Sequence, residues 1–255
     1  MFTALTVAAV GIWELVVRVM EPPTFLFPSA SATIRVLFQH RDVLFHDSLV
    51  TAFEAVAGLL LSCIAAISVA TLTVFLPRLQ RILLPVVAGF QAVPLVAVAP
   101  LLIIWLGNGF SGKVVLAALV SFFPLTVNSV IGLNNVPPDA LEVFHLLGAS
   151  RTRVLLMLRV HFAAPFFMAA LRIGSGLSVI GAIVAEFAAA DVGIGFRIMI
   201  ASYKTDTPLL FAAIILGAAI SVAMHSFARF VEKRIDRALG SNRYLEPDPE
   251  IPLPR

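Results

Sequence analysis

The sequence predicts an all-α integral membrane protein with about six transmembrane helices, and three observations carry that prediction. First, 60% of the 255 residues are hydrophobic and only 13% are charged, with a mean hydropathy of +0.99; a soluble domain carries roughly 25% charged residues. Second, uncharged stretches long enough to cross a hydrocarbon layer of about 30 Å recur along the chain. Third, the lysines and arginines fall unevenly between those stretches. The net charge of +3 is then a membrane-orienting charge rather than a nucleic-acid surface, and no nucleic acid is expected as a partner. The single cysteine, Cys63, lies in an apolar run, which excludes an intrachain disulfide and reads as a buried small residue.

The first element is "MFTALTVAAVGIWELVVR". It lacks the basic start and small-residue cleavage site of a signal peptide. Residues 2–17 would form a helix of about 24 Å, short for a span. Such a helix packs against neighbours, or the natural start lies upstream. The following spans are Ala55 to Leu76, Ile82 to Leu106, Val114 to Leu133, Phe162 to Ala185 and Pro208 to Ala228. Pro85, Pro94 and Pro100 predict a kinked or broken third span. Arg172 falls near one end of the fifth, where a long side chain snorkels. Six spans put both termini on one side. Arg78, Arg81, Arg151, Arg153, Arg159, Arg172, Arg229, Lys233, Arg234, Arg237, Arg243 and Arg255 share that side. Only Arg18, Arg35, Arg41, Lys113, Arg197 and Lys204 lie opposite. The imbalance predicts cytoplasmic termini.

Between spans, residues 29–53 mix apolar and charged residues at near-helical spacing and read as one or two interfacial helices. Residues 191–207 open with a glycine-rich turn and continue as an amphipathic stretch. A single transmembrane domain over 1–240 is expected, followed by a proline-rich cytoplasmic tail at 241–255 that is expected to be disordered. No soluble domain or internal repeat is evident.

The stretch "DALEVFHLLGASRTRVLLMLRVHF", residues 139–162, concentrates scarce charge. Pro137 and Pro138 stop the preceding span. Asp139 is a good N-cap, with Glu142 three residues on. Leu141, Phe144 and Leu147 would share one helical face. Gly148 supplies a left-handed helix end, and Ser150 caps a second helix carrying Arg151 and Arg153. The segment 137–161 therefore reads as two short helices joined at a glycine. The plain alternative is an ordinary basic loop, but an apolar face on a surface helix needs a cover, either the membrane or a partner protein.

Here the residues resemble a known family. Glu142, Gly148 six residues later and Pro165 seventeen beyond that are similar to the coupling motif of bacterial ABC importer permeases. "WELVVR", "FLFPSASA", "QAVPLVAVAPLLIIWLGNG", "LGASR", "AEF", "GIGFRIMIAS" and "DTPLLFAAIIL" resemble the branch importing nitrate, sulfonates, taurine, bicarbonate and some vitamins or their precursors. Val143 and Phe144 depart from the motif's alanines, and Val160-His161 from its Leu-Pro, while Pro165 is kept. The resemblance implies a type I importer permease fold in the bacterial inner membrane, with cytoplasmic coupling helices between spans four and five. It also implies an ABC ATPase that binds ATP and Mg, an external binding protein, and a second permease copy, as a homodimer or with a related chain. On that likeness, Asp139, Glu142, Phe144, Leu147, Gly148, Ala149, Ser150, Arg151 and Arg153 would engage the ATPase. Gly193 and Gly195 would lie where the binding protein docks.

Polar groups within spans are pathway or gate candidates: Gln91, Asn128, Ser129, Ser175, Ser178 and Glu186. For the serines, a hydroxyl bond to a carbonyl one turn back is the plain alternative. For Glu186 it is anchorage at the helix end. His161 reads as a tolerated interface residue. A membrane enzyme is excluded on the residues: His145 and His161 have no companion acids at ligand spacing on the spans, and no phosphate-binding loop occurs. No cofactor or metal is expected on this chain. A stand-alone carrier or channel is the rival, but such proteins place ionisable groups at the midplane. The expected solute is a small organic or inorganic anion of the sulfonate, taurine or nitrate type, with a vitamin or vitamin precursor as the alternative.

Overall fold

The computed structural model describes residues 2–91 and 93–239, apart from the side chains of residues 2–7, 84, 88, 91, 95, 236, 238 and 239. The tail expected to be disordered at 241–255 and the side chain of Gln91 lie outside the described residues. The chain is helical throughout, with no strand among the described residues. In order the helices are α1 (Phe2–Met20), α2 (Ala30–Gln39), α3 (Arg41–Phe75), α4 (Pro77–Gln91), α5 (Leu95–Leu106), α6 (Phe110–Asn134), α7 (Pro138–Leu146), α8 (Arg151–Val154), α9 (Val160–Ala189), α10 (Ile194–Tyr203) and α11 (Thr207–Leu239). A π-helical turn, Leu155–Arg159, joins α8 to α9.

Four helices are long and apolar enough to cross a membrane: Arg41–Phe75, Phe110–Asn134, Arg151–Ala189 and Thr207–Ile235. The expected third span is two helices, α4 and α5, broken ahead of Pro94, which is the N-cap of α5. The 35-residue α3 is the main difference from the sequence reading. Its length is roughly 52 Å. Only α2 is a separate helix in residues 29–53; from Arg41 the chain is already the first turns of the following span. Asp47, a charge of that segment, and Glu54 just beyond it are buried rather than solvated. The N-terminus of α7 also differs from expectation. Pro137 is the N-cap and makes no side-chain capping bond, so Asp139 lies inside the helix and is exposed. Pro138, with its fixed φ and no N–H to satisfy, starts the helix one residue ahead of Asp139.

The chain divides into two compact units. One comprises residues 1–61, 94–120 and 176–223; the other comprises 62–93, 121–175 and 224–255. The division cuts α3, α6, α9 and α11, so each contributes one end to each unit.

In the first unit, close packing is made by small residues. A Cβ on Gly58 of α3 would meet the Cβ of Ala117 at 2.5 Å, and a Cβ on Gly181 of α9 would meet the Ala117 Cα at 2.7 Å. Two helices thus approach α6 at one alanine, the small-residue contact that holds helices together in lipid. At another place Trp13, Phe27 and Phe211 form an aromatic cluster, and Trp13 Nε1 donates to the Pro28 carbonyl at 3.0 Å. The second unit is built on Ala70, Val130, Leu133, Leu155 and Ala163. There Gly132 lies against Ala163, where an added Cβ would come to 2.9 Å of the Cα. Large apolar side chains such as Ile64, Ile104, Trp105 and Phe227 are exposed, as befits surfaces that face lipid.

Candidate functional site

In the second unit, the sequence around Gly148 folds into a tight reversal. The N–H of Gly148 donates to the His145 carbonyl and that of Ala149 to the Phe144 carbonyl, each at 3.0 Å. With Gly148 at φ +65°, these are the two bonds of a Schellman helix end, and the glycine supplies the left-handed residue. Ser150 then caps α8, its Oγ accepting from the Arg153 N–H at 3.4 Å. The inner face of α7 is Ala140, Leu141 and Phe144, packed with Ala149 on Val136, Val154 and Leu158. Leu147 does not join that face as its spacing suggested. It is the C-cap residue, already leaving the helix, and its side chain is 76% exposed. Leu146 beside it is 88% exposed. Asp139, Glu142, Arg151 and Arg153 are exposed and have no ion-pair partner among the described residues. Arg159 anchors the base of the segment: its Nη1 donates to the Leu133 carbonyl at 2.7 Å and to Asn134 Oδ1 at 3.3 Å. A guanidinium at the last carbonyls of α6 is favoured by the helix dipole as well as by the bond.

The first unit holds a buried polar knot. Glu186 on α9 has no exposed surface. Its Oε1 accepts from Thr51 Oγ1 at 2.7 Å and its Oε2 from the Gly195 N–H at 2.6 Å. Thr51 in turn accepts from the Ile194 N–H at 2.9 Å. Asp47 accepts from the Gly193 N–H at 3.2 Å and is paired with Arg197, whose Nε and Nη2 both lie 2.7 Å from Oδ2. Lys113 Nζ stands 3.0 Å from Glu54 Oε1. Three backbone N–H groups at the start of α10 are therefore held by side chains of α3 and α9, and three charged groups, Asp47, Glu54 and Lys113, are buried in ion pairs, with Arg197 half-buried. Burying that much charge is costly unless each group is paired or hydrogen-bonded, as these largely are.

Residues 58–237 match the family of binding-protein-dependent transport system inner membrane components. The chain belongs to this family. Among its relatives, a riboflavin transport system permease protein, RibX, of Chloroflexus aurantiacus is 34% identical, with 88% of this chain and 85% of the relative covered. A formylaminopyrimidine transport permease protein, ThiX, of Halalkalibacterium halodurans is 30% identical over 83% of this chain and 84% of its own length. A putative aliphatic sulfonates transport permease protein, SsuC, of Bacillus subtilis is 27% identical over 89% and 83%. The chain is thus a membrane-embedded permease of an ABC importer, working with an ATPase and a binding protein; the relatives are permease subunits rather than enzymes.

Within this permease the expected pathway residues divide between the two units, Asn128, Ser129 and Ser175 in the second and Ser178 and Glu186 in the first. Asn128 Nδ2 donates to the Pro124 carbonyl at 2.8 Å, one turn back on its own helix. Ser129 Oγ does the same to Leu125 at 2.6 Å, and Ser175 Oγ donates to Arg172 at 2.7 Å. Ser178 is buried. Glu186 is the centre of the knot. Gly193 and Gly195 are buried, with their N–H groups turned inward; Asp191 and Val192 are the exposed residues of that turn.

The sequence reading missed Asp47, Thr51, Glu54, Lys113 and Arg197. The first three recur at i, i+4 and i+7 and so lie on one face of α3. That is the signal that could have found them, had the segment been read as span rather than interface. Gly193 follows from the same geometry. It sits at φ +112°, and a Cβ there would fall on the Glu186 carboxyl group. Gly193→Ala is expected to cost about 1–3 kcal/mol from backbone strain alone, and more from the overlap. The check is the denaturation midpoint of the purified permease, with hydrogen exchange rising at residues 186–195.

Proposed function

We propose that the permease is driven through α7, Gly148 and α8, and that this segment docks on the ATPase. The observation that carries the reading is the tip of α7: Leu146 and Leu147 are almost fully exposed while the other side of the helix is packed. An apolar tip held on a rigid, capped turn is what a groove on a partner protein takes, with Glu142 and the exposed Arg151 and Arg153 at its rim as charge partners. Asp139 sits at the helix start, while Phe144 and Ala149 hold the segment from beneath and Ser150 caps the helix beyond. On this reading the segment faces the cytoplasm together with both termini, which the distribution of basic residues supports. ATP and Mg bind on the ATPase. A chain of this size encloses a pathway only as a dimer, and a homodimer is the simplest arrangement. The turn at Gly193 and Gly195 presents Asp191 and Val192 to the binding protein, with Glu186 as its anchor rather than a moving gate. The pathway itself is assigned to Gln91, Asn128, Ser175 and Ser178.

For the solute we infer a vitamin or vitamin precursor rather than a small anion. Lys113 and Arg197 are each consumed by a buried carboxylate, and Arg172 lies 3.4 Å from Glu232, so these cations offer no spare charge to an anion. Among relatives matched over more than four fifths of this chain, two at 30% identity or above name riboflavin and formylaminopyrimidine and the sulfonate permease stands at 27%; a taurine permease at 31% and a second sulfonate permease at 30% match only 62% and 60% of the chain. Proteoliposomes containing the permease, its ATPase and its binding protein test this. ATP-dependent uptake of riboflavin or a formylaminopyrimidine, with none of taurine or an alkanesulfonate, is expected. The reverse pattern returns the solute to the anion class.

A further inference from the structure

Two cavities of the second unit lie next to each other along the same helices, and they differ sharply in chemistry. One, of about 300 Å³, is lined by His145, Arg151 and Arg159 together with Val74, Leu141 and Ala149. No Asp or Glu among the described residues lines it. Arg151 and His145 have no hydrogen-bond or ion-pair partner among the described residues. Arg159 uses only Nη1 on the end of α6, which leaves its other N–H groups for a ligand. Three basic side chains around a cavity with no acid favour an oxoanion.

The other cavity, of about 250 Å³, is apolar, with walls that include Ile67, Ala70, Leu133, Ala163, Phe167 and Met168. Its one serine, Ser129, already spends its hydroxyl on the Leu125 carbonyl. Thr71 is the one other hydroxyl side chain among its described lining residues, so the groove offers little to a polar solute and suits a hydrocarbon chain. Thr71 lines the groove and Val74 lines the basic cavity. Ile67, Thr71 and Val74 fall on one face of α3, so the basic cavity begins one turn beyond the groove. Val160 lines the groove and Arg159, its neighbour in sequence, lines the basic cavity. Leu156, Met157 and Val160 are exposed beside them.

A phosphate-sized basic cavity continued by an apolar groove, at the end of membrane-spanning helices, has the shape of one amphiphile. We propose that this permease binds an anionic phospholipid, its phosphate held by His145, Arg151 and Arg159 and an acyl chain lying in the groove between α3 and α9. The lipid would brace the base of the α7–α8 segment against the spans. Basic pockets at the cytoplasmic ends of spans are where anionic headgroups bind; the choice of leaflet rests on the orientation proposed above.

The test uses the whole transporter, purified in detergent, stripped of lipid and supplied with phosphatidylglycerol or phosphatidylcholine of equal chain length. Retained lipid is counted by native mass spectrometry. Saturable retention of phosphatidylglycerol is expected, with about fivefold weaker binding on Arg151→Gln, as the loss of one basic group near an anionic headgroup implies. Arg151 is exposed and partnerless, so that variant should fold. Ala164→Trp fills the groove and is expected to weaken phosphatidylglycerol retention while leaving the basic cavity intact. Equal retention of the two lipids, or no effect of Arg151→Gln, would overturn the proposal. So would displacement of the lipid by inorganic phosphate alone at comparable concentration, which would make the site one for a free oxoanion. Loss of the ATPase from Arg151→Gln with lipid binding unchanged would likewise overturn it, in favour of a protein contact. His145→Gln, at an exposed residue of the same cavity that lies outside the proposed ATPase rim, is expected to weaken phosphatidylglycerol retention with ATPase capture unchanged, which separates a failure of this proposal from a failure of the coupling reading.

Discussion

Replacing Lys113 by methionine is expected to destabilise the permease by about 3–5 kcal/mol, the range for removing one partner of a buried ion pair. Lys113 is 7% exposed and Glu54 1%, so neither charge has water to fall back on. Glu54 has no hydrogen bond at Oε2 among the described residues, and the Glu186 carboxyl group is its neighbour. Without Lys113, two adjacent buried carboxyl groups would remain and Glu54 would lose the cation paired with it. The double variant Lys113→Met with Glu54→Leu removes both charges. It is expected to recover most of the loss, because an apolar pair of similar volume is often as stable as a buried ion pair. Denaturation midpoints for the two single variants and the double variant complete a cycle that isolates the pair. Additive single losses, with no recovery in the double variant, would mean that the pair is not the unit that matters.

The ion pair also shows where the sequence was legible and where it was not. The spans were visible because lipid demands long uncharged helices, and α6, α9 and α11 lie where those runs lie. The Schellman reversal at Gly148 was legible too, since proline, glycine and serine constrain the backbone locally through φ and capping. The knot was not. Asp47, Glu54 and Lys113 are individually ordinary charges, and composition places such charges in loops. What buries them is a partner far along the chain: Thr51 meets Glu186 across 135 residues and Arg197 meets Asp47 across 150. Local pattern does not report pairing over such separations. The same limit explains Leu147, whose spacing put it on the packed face of α7. A left-handed residue at the next position turns the chain before that periodicity applies.

Replacing Leu146 and Leu147 together by aspartate is expected to abolish capture of the ATPase and ATP-driven uptake while leaving the permease folded. Both side chains are exposed and lie outside every buried cluster of α7, so the stability cost should stay within about 0.5 kcal/mol. Seated in a partner groove, each leucine would be worth about 1.5–3 kcal/mol of apolar burial. Losing both, and placing two carboxylates in the groove, lowers affinity by about a hundredfold or more. The neighbouring glycine is a less discriminating target. A Cβ on Gly148 meets nothing within 4 Å, so that position requires a left-handed φ rather than space, and asparagine tolerates that conformation. Gly148→Asn should therefore keep both the turn and the ATPase. Co-purification of the complex in mild detergent, with the melting midpoint of each permease variant alongside, separates the outcomes. Retention of the ATPase by the double aspartate variant would remove the tip of α7 from the interface. Loss of the ATPase together with a lowered midpoint would show that the tip supports the fold of the permease instead. Only loss of the partner at an unchanged midpoint fits a helix whose exposed leucines carry force between two proteins.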